Sequence, residues 1–189
     1  HHGYFWRGED QSISGIKKAR IEALLKHDVS LFAYHLPLDV HREFGNNVQL
    51  AKVLGIEIDG ELAKQNNHPI GLVGTISEDT DFESLKALIA DKLDRQPLAI
   101  EGNSKPIRSI AWCTGAAQNY IELAVAAGVD AYITGEVSEP TVHIARESGI
   151  HFFSAGHHAT ERYGVQAIGG YLASKFGIDH QFIDIDNPV

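Results

Sequence analysis

Between Arg108 and Phe176 short apolar runs alternate with amphipathic stretches, and this alternation constrains the fold more than any other feature. Arg108–Cys113 reads as a strand, Thr114-Gly115-Ala116 as a tight turn, and Asn119–Ala127 as a helix closed by Gly128. Asp130–Thr134 is the next strand and Glu139–Glu147 the next helix, ending before Gly149. Strand Ile150–Ser154, helix Thr160–Phe176 and a last strand over Gln181–Ile185 follow. The first half is looser. Gly15–Asp28 reads as a helix, Val29–Tyr34 as a buried strand, Asn47–Leu54 as a helix stopped by Gly55, and Asp81–Leu93 as a helix with acidic residues in its first turn. Residues 57–80 are the least patterned, with turn chemistry over Gln65-Asn66-Asn67-His68-Pro69. The expectation is an α/β fold with mostly parallel strands, divided into an N-terminal region of residues 1–105 and a C-terminal region of residues 106–189.

Composition excludes several classes. The 189 residues suffice for one compact domain or two small ones with a core. No apolar run approaches the length of a membrane span and no segment resembles a secretory signal, so a soluble, cytoplasmic protein without membrane partners is expected. One cysteine, Cys113, allows no internal disulfide, and it reads as a small buried strand residue. A formal charge of -9 argues against nucleic acid as a partner, and Lys17-Lys18-Ala19-Arg20 reads as one solvated helix face. The chain has no methionine and opens on His1-His2, a dipeptide that on its own reads first as an affinity-tag stub and only second as a ligand pair.

Ligands of open α/β sheets bind beyond the carboxyl ends of the strands, so the residues there are the first to inspect. Strand Val29–Tyr34 delivers His35-Leu36-Pro37-Leu38-Asp39, and strand Ile150–Ser154 delivers Gly156-His157-His158-Ala159-Thr160-Glu161. Strand Asp130–Thr134 delivers Gly135-Glu136, and strand Arg108–Cys113 delivers Thr114-Gly115. His157 and Glu161 are four apart at a helix start and can face one way, either as metal ligands or as an ordinary solvated pair. His35 and Asp39 share that spacing, but Pro37 between them predicts a turn rather than a helical pair. Mixed imidazole and carboxylate donors suit Zn, Fe, Mn, Ni or Co. Gly115 and Gly135 could mark phosphate-cradling turns, yet neither nucleotide-binding glycine motif occurs, and no Gly-x-Ser-x-Gly elbow is present.

Five segments carry a resemblance. They are His1-His2-Gly3-Tyr4-Phe5-Trp6, Ala33-Tyr34-His35-Leu36-Pro37-Leu38-Asp39, Ala111-Trp112-Cys113-Thr114-Gly115, Tyr132-Ile133-Thr134-Gly135-Glu136-Val137-Ser138-Glu139 and Ala155-Gly156-His157-His158-Ala159-Thr160-Glu161-Arg162. In this order they resemble the bacterial members of the Nif-three-like dinuclear metal family, also called GTP cyclohydrolase I type 2 homologues. Members of that family carry a further N-terminal segment before the His-His pair. The resemblance implies two interlocked α/β subdomains with the metal site in the cleft between them, assembled as a homo-oligomer, a ring-shaped hexamer. It further implies two divalent transition-metal ions per chain (Fe, Zn or Mn), held by His1, His2, Asp39, His157 and Glu161. Glu161 would bridge, with His2 and Asp39 on one ion and His1 and His157 on the other. His35 and Glu136 would lie in the second shell or on the substrate side, and His158 would not ligate.

Such a centre leaves coordination positions open, as a catalytic site requires. Two divalent ions outweigh the charge of two carboxylates and favour a bound hydroxide, so metal-assisted hydrolysis of a small, nucleotide-like or heterocyclic substrate is the expectation. The alternative is a metal-binding regulatory or metal-delivery protein without turnover.

Overall fold

The computed structural model describes residues 1–3, 8, 10–65, 68–103 and 105–189. Two units emerge, His1–Leu38 and Asp39–Val189. The strands over Leu98–Ile100 and Ile107–Cys113 belong to a single sheet.

The first unit holds helix α1 (Gly15–Lys26) and the start of the five-residue helix α2 (His35–Asp39). Helix α1 forms where periodicity places it, but none of its residues is buried. The expected strand Val29–Tyr34 does not form, and Val29, Leu31, Phe32 and Tyr34 are exposed. An apolar run becomes a buried strand only where a neighbour completes its hydrogen bonds, and every strand among the described residues lies in the second unit. Pro37 sits in the first turn of α2, where a missing N–H costs nothing. His35 and Asp39 are therefore the first and last residues of one short helix, not the ends of an irregular turn. The Tyr4-Phe5-Trp6 stretch of the N-terminal motif lies outside the described residues.

The second unit is built on one six-stranded sheet, β1 (Ile56–Gln65), β2 (His68–Thr80), β3 (Leu98–Ile100), β4 (Ile107–Cys113), β5 (Ala131–Thr134) and β6 (His151–Ser154), in the order β1-β2-β4-β5-β6-β3. Only β4-β5 and β5-β6 pair in parallel; β1-β2, β2-β4 and β3-β6 are antiparallel. The sheet is thus mixed and mostly antiparallel, which corrects the expected mostly parallel one. The difference comes from residues 57–80, which form the two longest strands instead of an unpatterned loop, as an antiparallel hairpin whose Asn66-Asn67 connection lies outside the described residues. Its first strand places Glu57, Asp59 and Glu61 among its apolar residues and so lacks the continuous apolar run that marks a central parallel strand.

The central strands alternate strictly between two cores. Ile110, Trp112, Ile133 and Phe153 point to one face, where α3 (Asn46–Leu54) and α4 (Phe82–Leu93) bury Leu50, Leu54, Leu85 and Ile89. Ala111, Cys113, Tyr132 and Phe152 point to the other, against α5 (Ile121–Ala127) and α6 (Glu139–Ser148). These helices start and stop for local reasons. The Asp81 side chain accepts from Ser84 N at 2.7 Å to cap α4, and Gly55, Gly128 and Gly149 close α3, α5 and α6 in the left-handed conformation.

The expected helix Thr160–Phe176 is broken at Arg162 into α7 (His157–Glu161) and α8 (Tyr163–Phe176). The Arg162 guanidinium donates to the Leu93 carbonyl and to Asp184, both at 2.9 Å. The expected strand Gln181–Ile185 is irregular, because that segment is tied by Asp184 to His158 (2.7 Å) and Arg162 instead of by a ladder.

Candidate metal centre

Within the first unit, the rings of His1, His2 and His35 gather. His1 and His2 lie 4.4 Å apart by ring centre, His2 and His35 4.5 Å, and His1 and His35 5.2 Å. One nitrogen from each lies within 4.8 Å of the others, close enough to share an ion. Gly3 follows in the left-handed conformation at φ +73, packed so tightly on Ala33 that a Cβ would approach it to 2.6 Å.

In the second unit, the ends of β4, β5 and β6 are stitched beyond the sheet. Gly135 N donates to the Gly115 carbonyl at 2.9 Å and Gly156 N to the Gly135 carbonyl at 3.0 Å. Helix α7 starts immediately after β6. The buried Thr160 hydroxyl accepts from Gly115 N at 3.1 Å and donates to the Gly156 carbonyl at 2.9 Å, which locks α7 onto the loops. His157 and Glu161, first and last residues of α7, are thereby turned toward Gly115. Two glycines form the floor. A Cβ on Gly115, whose φ is +69, would fall on Glu161 Oε1, and one on Gly135 would lie 2.7 Å from both the Gly115 carbonyl and His157 Cα.

The His157 ring sits between two carboxylates, with Nδ1 2.7 Å from Glu136 Oε1 and Nε2 3.0 Å from Glu161 Oε2. The hydrogen bond to Glu161, reinforced by Glu136 and opposed by burial, raises the His157 pKa from 6.5 to about 9 in the metal-free chain. The ring is then an imidazolium at neutral pH. Because its folded pKa lies above the unfolded one, the charge stabilises the metal-free fold fully below pH 6.5, and the contribution is lost as pH rises through about 9. A histidine-resolved NMR titration of chelator-treated protein should show a His157 midpoint near 9; a midpoint at 6.5 would remove the carboxylate sandwich.

Asp39 is buried, and Asn46 Nδ2 donates to its Oδ1 at 2.7 Å. Asn46 Oδ1 in turn accepts from Gly164 N at 2.8 Å, tying Asp39 to the start of α8. A carboxylate oxygen of Asp39 lies within 4.8 Å of one from Glu161. A buried carboxylate and a nearly buried one this close repel one another unless positive charge joins them, which in the metal-free chain the His157 imidazolium supplies to Glu161, and oxygen with imidazole nitrogen is the donor set of borderline transition metals.

Sequence reasoning missed Asn46 and Thr160 as members of the site, and singled out Gly115 and Gly135 only as strand-end glycines that could cradle phosphate. The legible signal was small: an Asn-Asn pair opening a helix, and glycines at the ends of two neighbouring strands. Cys113 is buried, and its thiol donates to the Ile70 carbonyl at 2.6 Å. Burial, with the negative charges of Asp39 and Glu161, pushes its pKa far up and keeps it a thiol. His158 faces Asp184, away from its neighbour, as consecutive residues on a helix must. Among the described residues no helix is long and apolar enough to cross a membrane.

The sequence profile of the Duf34/NIF3 (NGG1p interacting factor 3) family matches residues 1–188. A GTP cyclohydrolase 1 type 2 homolog of Pseudomonas aeruginosa is 57% identical over 188 residues, covering 100% of this chain and 74% of the relative. The counterpart of the same name in Escherichia coli is 47% identical over 190 residues, covering 100% and 74%. Among solved structures, protein ybgI, titled as of unknown function, is 46% identical with a TM-score of 0.94 over 100% of this chain and 75% of that one. TTHA1606 of Thermus thermophilus is 27% identical with a TM-score of 0.82 over 96% and 72%. Matched over nearly its whole length and at such identities, the chain belongs to the Duf34/NIF3 family.

Proposed function

We propose that the chain is a dinuclear metal protein in which His1, His2, Asp39, His157 and Glu161 hold two divalent transition-metal ions, and that it is a hydrolase of a small, nucleotide-like or heterocyclic substrate. The observation that carries this reading is the arrangement around Glu161. Its carboxylate is only 10% exposed, sits beside the Asp39 carboxylate, and contacts an imidazole whose far nitrogen is held by Glu136. A structural ion pair needs one carboxylate on one histidine, whereas two carboxylates converging on one imidazole is the donor excess of a cation site.

When bound, the ions would supply Lewis acidity and acidify a coordinated water. The chain's residues do the rest. Glu136 accepts the Nδ1 proton of His157, which fixes the tautomer and leaves Nε2 as the donor atom. Asn46 holds Asp39 by one oxygen and so orients the other. His35, within 4.8 Å of His1 and His2 by their ring nitrogens, stands where it can relay a proton on the substrate side. The relatives' name points to opening of a heterocyclic ring, and a hexameric ring in the cytoplasm is the assembly we infer from the resemblance.

The test is elemental analysis of protein purified without a histidine tag, followed by a hydrolysis screen of the loaded sample. Close to two equivalents per chain and turnover of a heterocyclic substrate support the reading. Failure to take up two equivalents of Zn, Fe or Mn overturns the metal centre. Full loading without turnover, with ready transfer of the metal to a chelator, favours a regulatory or delivery role.

A further inference from the structure

A cavity of about 290 Å³ lies wholly in the second unit, between the start of α3 and the bulged edge of β1. Asp39 forms one edge, so the cavity opens beside the carboxylate already described. Val48, Ile58 and Leu72 give it apolar walls. Asn47 lines it and is only 3% exposed. Its backbone carbonyl accepts from Trp112 Nε1 at 2.9 Å and its Oδ1 from Thr114 N at 3.0 Å, so the amide is pinned in one orientation. No hydrogen bond among the described residues uses its Nδ2. A buried amide that presents its donors to a cavity, with its acceptor consumed elsewhere, leaves a donor to be met by a ligand.

The opposite wall supplies acceptors. The register of β1 on β2 slips between Ile58 and Gly60, so Asp59 occupies a bulge, a feature that re-aims side chains. Asp59 and Glu61 line the cavity with Asp39, against one cation, Arg42, which lies 3.7 Å from Glu61 and is almost wholly exposed. Phosphate is repelled by such a lining. An organic ring with its own N–H groups is not.

We propose that this cavity binds the ring of the substrate, and that the ring is a small lactam: a flat heterocycle whose carbonyl accepts from Asn47 Nδ2 and whose N–H groups donate to the surrounding carboxylates. The assignment deepens the hydrolase reading and rests on it only in taking Asp39 as the edge where the ring meets the metal. The volume fits one or two fused rings and excludes a whole nucleoside triphosphate, whose phosphates must lie outside.

The test is calorimetric titration of the metal-loaded protein with uracil, hypoxanthine and inorganic tripolyphosphate, with metal content measured on the same samples. Asn47→Asp keeps an acceptor for Thr114 N and replaces the amide donors with a carboxylate oxygen, and Val48→Phe fills the space from the apolar side. The expected result is binding of at least one lactam, weakened about tenfold or more by Asn47→Asp and by Val48→Phe at unchanged metal content. Lactam binding that persists in a parent protein unable to hold two metals supports the cavity while the metal reading falls. Equal lactam binding by parent and both variants, or binding of tripolyphosphate alone, overturns the proposal with the metal reading intact.

Discussion

Glu161→Ala is expected to strip the proposed centre of both ions, because the side chain proposed to bridge them would be gone. Replacing an outer partner such as Glu136 should weaken metal binding by roughly 10–100-fold, and removal of the bridge should exceed that range. Elemental analysis after dialysis separates the two. Glu161→Ala should retain almost no metal, Glu136→Gln an intermediate amount, and His158→Ala, whose ring faces Asp184, close to the parental content. The His157 titration gives a second, metal-independent readout. The bond to Glu161 is the largest cause of its raised pKa, so Glu161→Ala should bring the midpoint down from about 9 toward the usual histidine range. Two equivalents of metal retained by Glu161→Ala would sink the bridging assignment.

The second large effect is expected from the addition of a single methyl group. Gly115 has φ +69, and a Cβ there would collide with the Glu161 carboxylate and lie 3.2 Å from His157 Nε2. Gly115→Ala therefore carries two costs, about 1–2 kcal/mol for alanine in the left-handed region and displacement of the carboxylate from its ligand position. Gly128 separates them. It has φ +71 with nothing within 4 Å of a Cβ, so Gly128→Ala incurs the backbone cost alone. Thermal melts should show both variants destabilised, and metal analysis should show loss in Gly115→Ala only. Parental metal content in Gly115→Ala would mean that the carboxylate can move aside, and that the floor does not define the centre.

The parallel core was easier to read from the chain than the rest of the architecture. Of the proposed donors, His157 stands at the end of β6 and the start of α7, where the alternation of elements places it, and the parallel core from β4 to β6 follows the periodicity to within a residue or two. The hairpin did not show itself, because Ile56–Gln65 carries Glu57, Asp59, Glu61 and Lys64, which interrupt any apolar run. Val29–Tyr34 misled for the converse reason: composition records that a segment is apolar and not whether a neighbour will pair with it. Pro37 misled because a proline breaks a helix interior but not a first turn. Asn46, Asn47 and Thr160 were invisible because their roles depend on hydrogen bonds to residues 7 to 118 positions away.

The longest of these links, Asn46 to Gly164, bears on how the protein is made. Asp39 is synthesised early, yet the amide that orients it is itself oriented by a backbone N–H 118 residues later. Closing that span is among the slowest steps for a domain of this size, since distant contacts must be reached before they repay the entropy of ordering the chain between them. A nascent chain that has not yet exposed the start of α8 carries Asp39 without its fixed geometry. Any fragment ending before α8 lacks it permanently, so the metal capture proposed for Asp39 would fall late in folding.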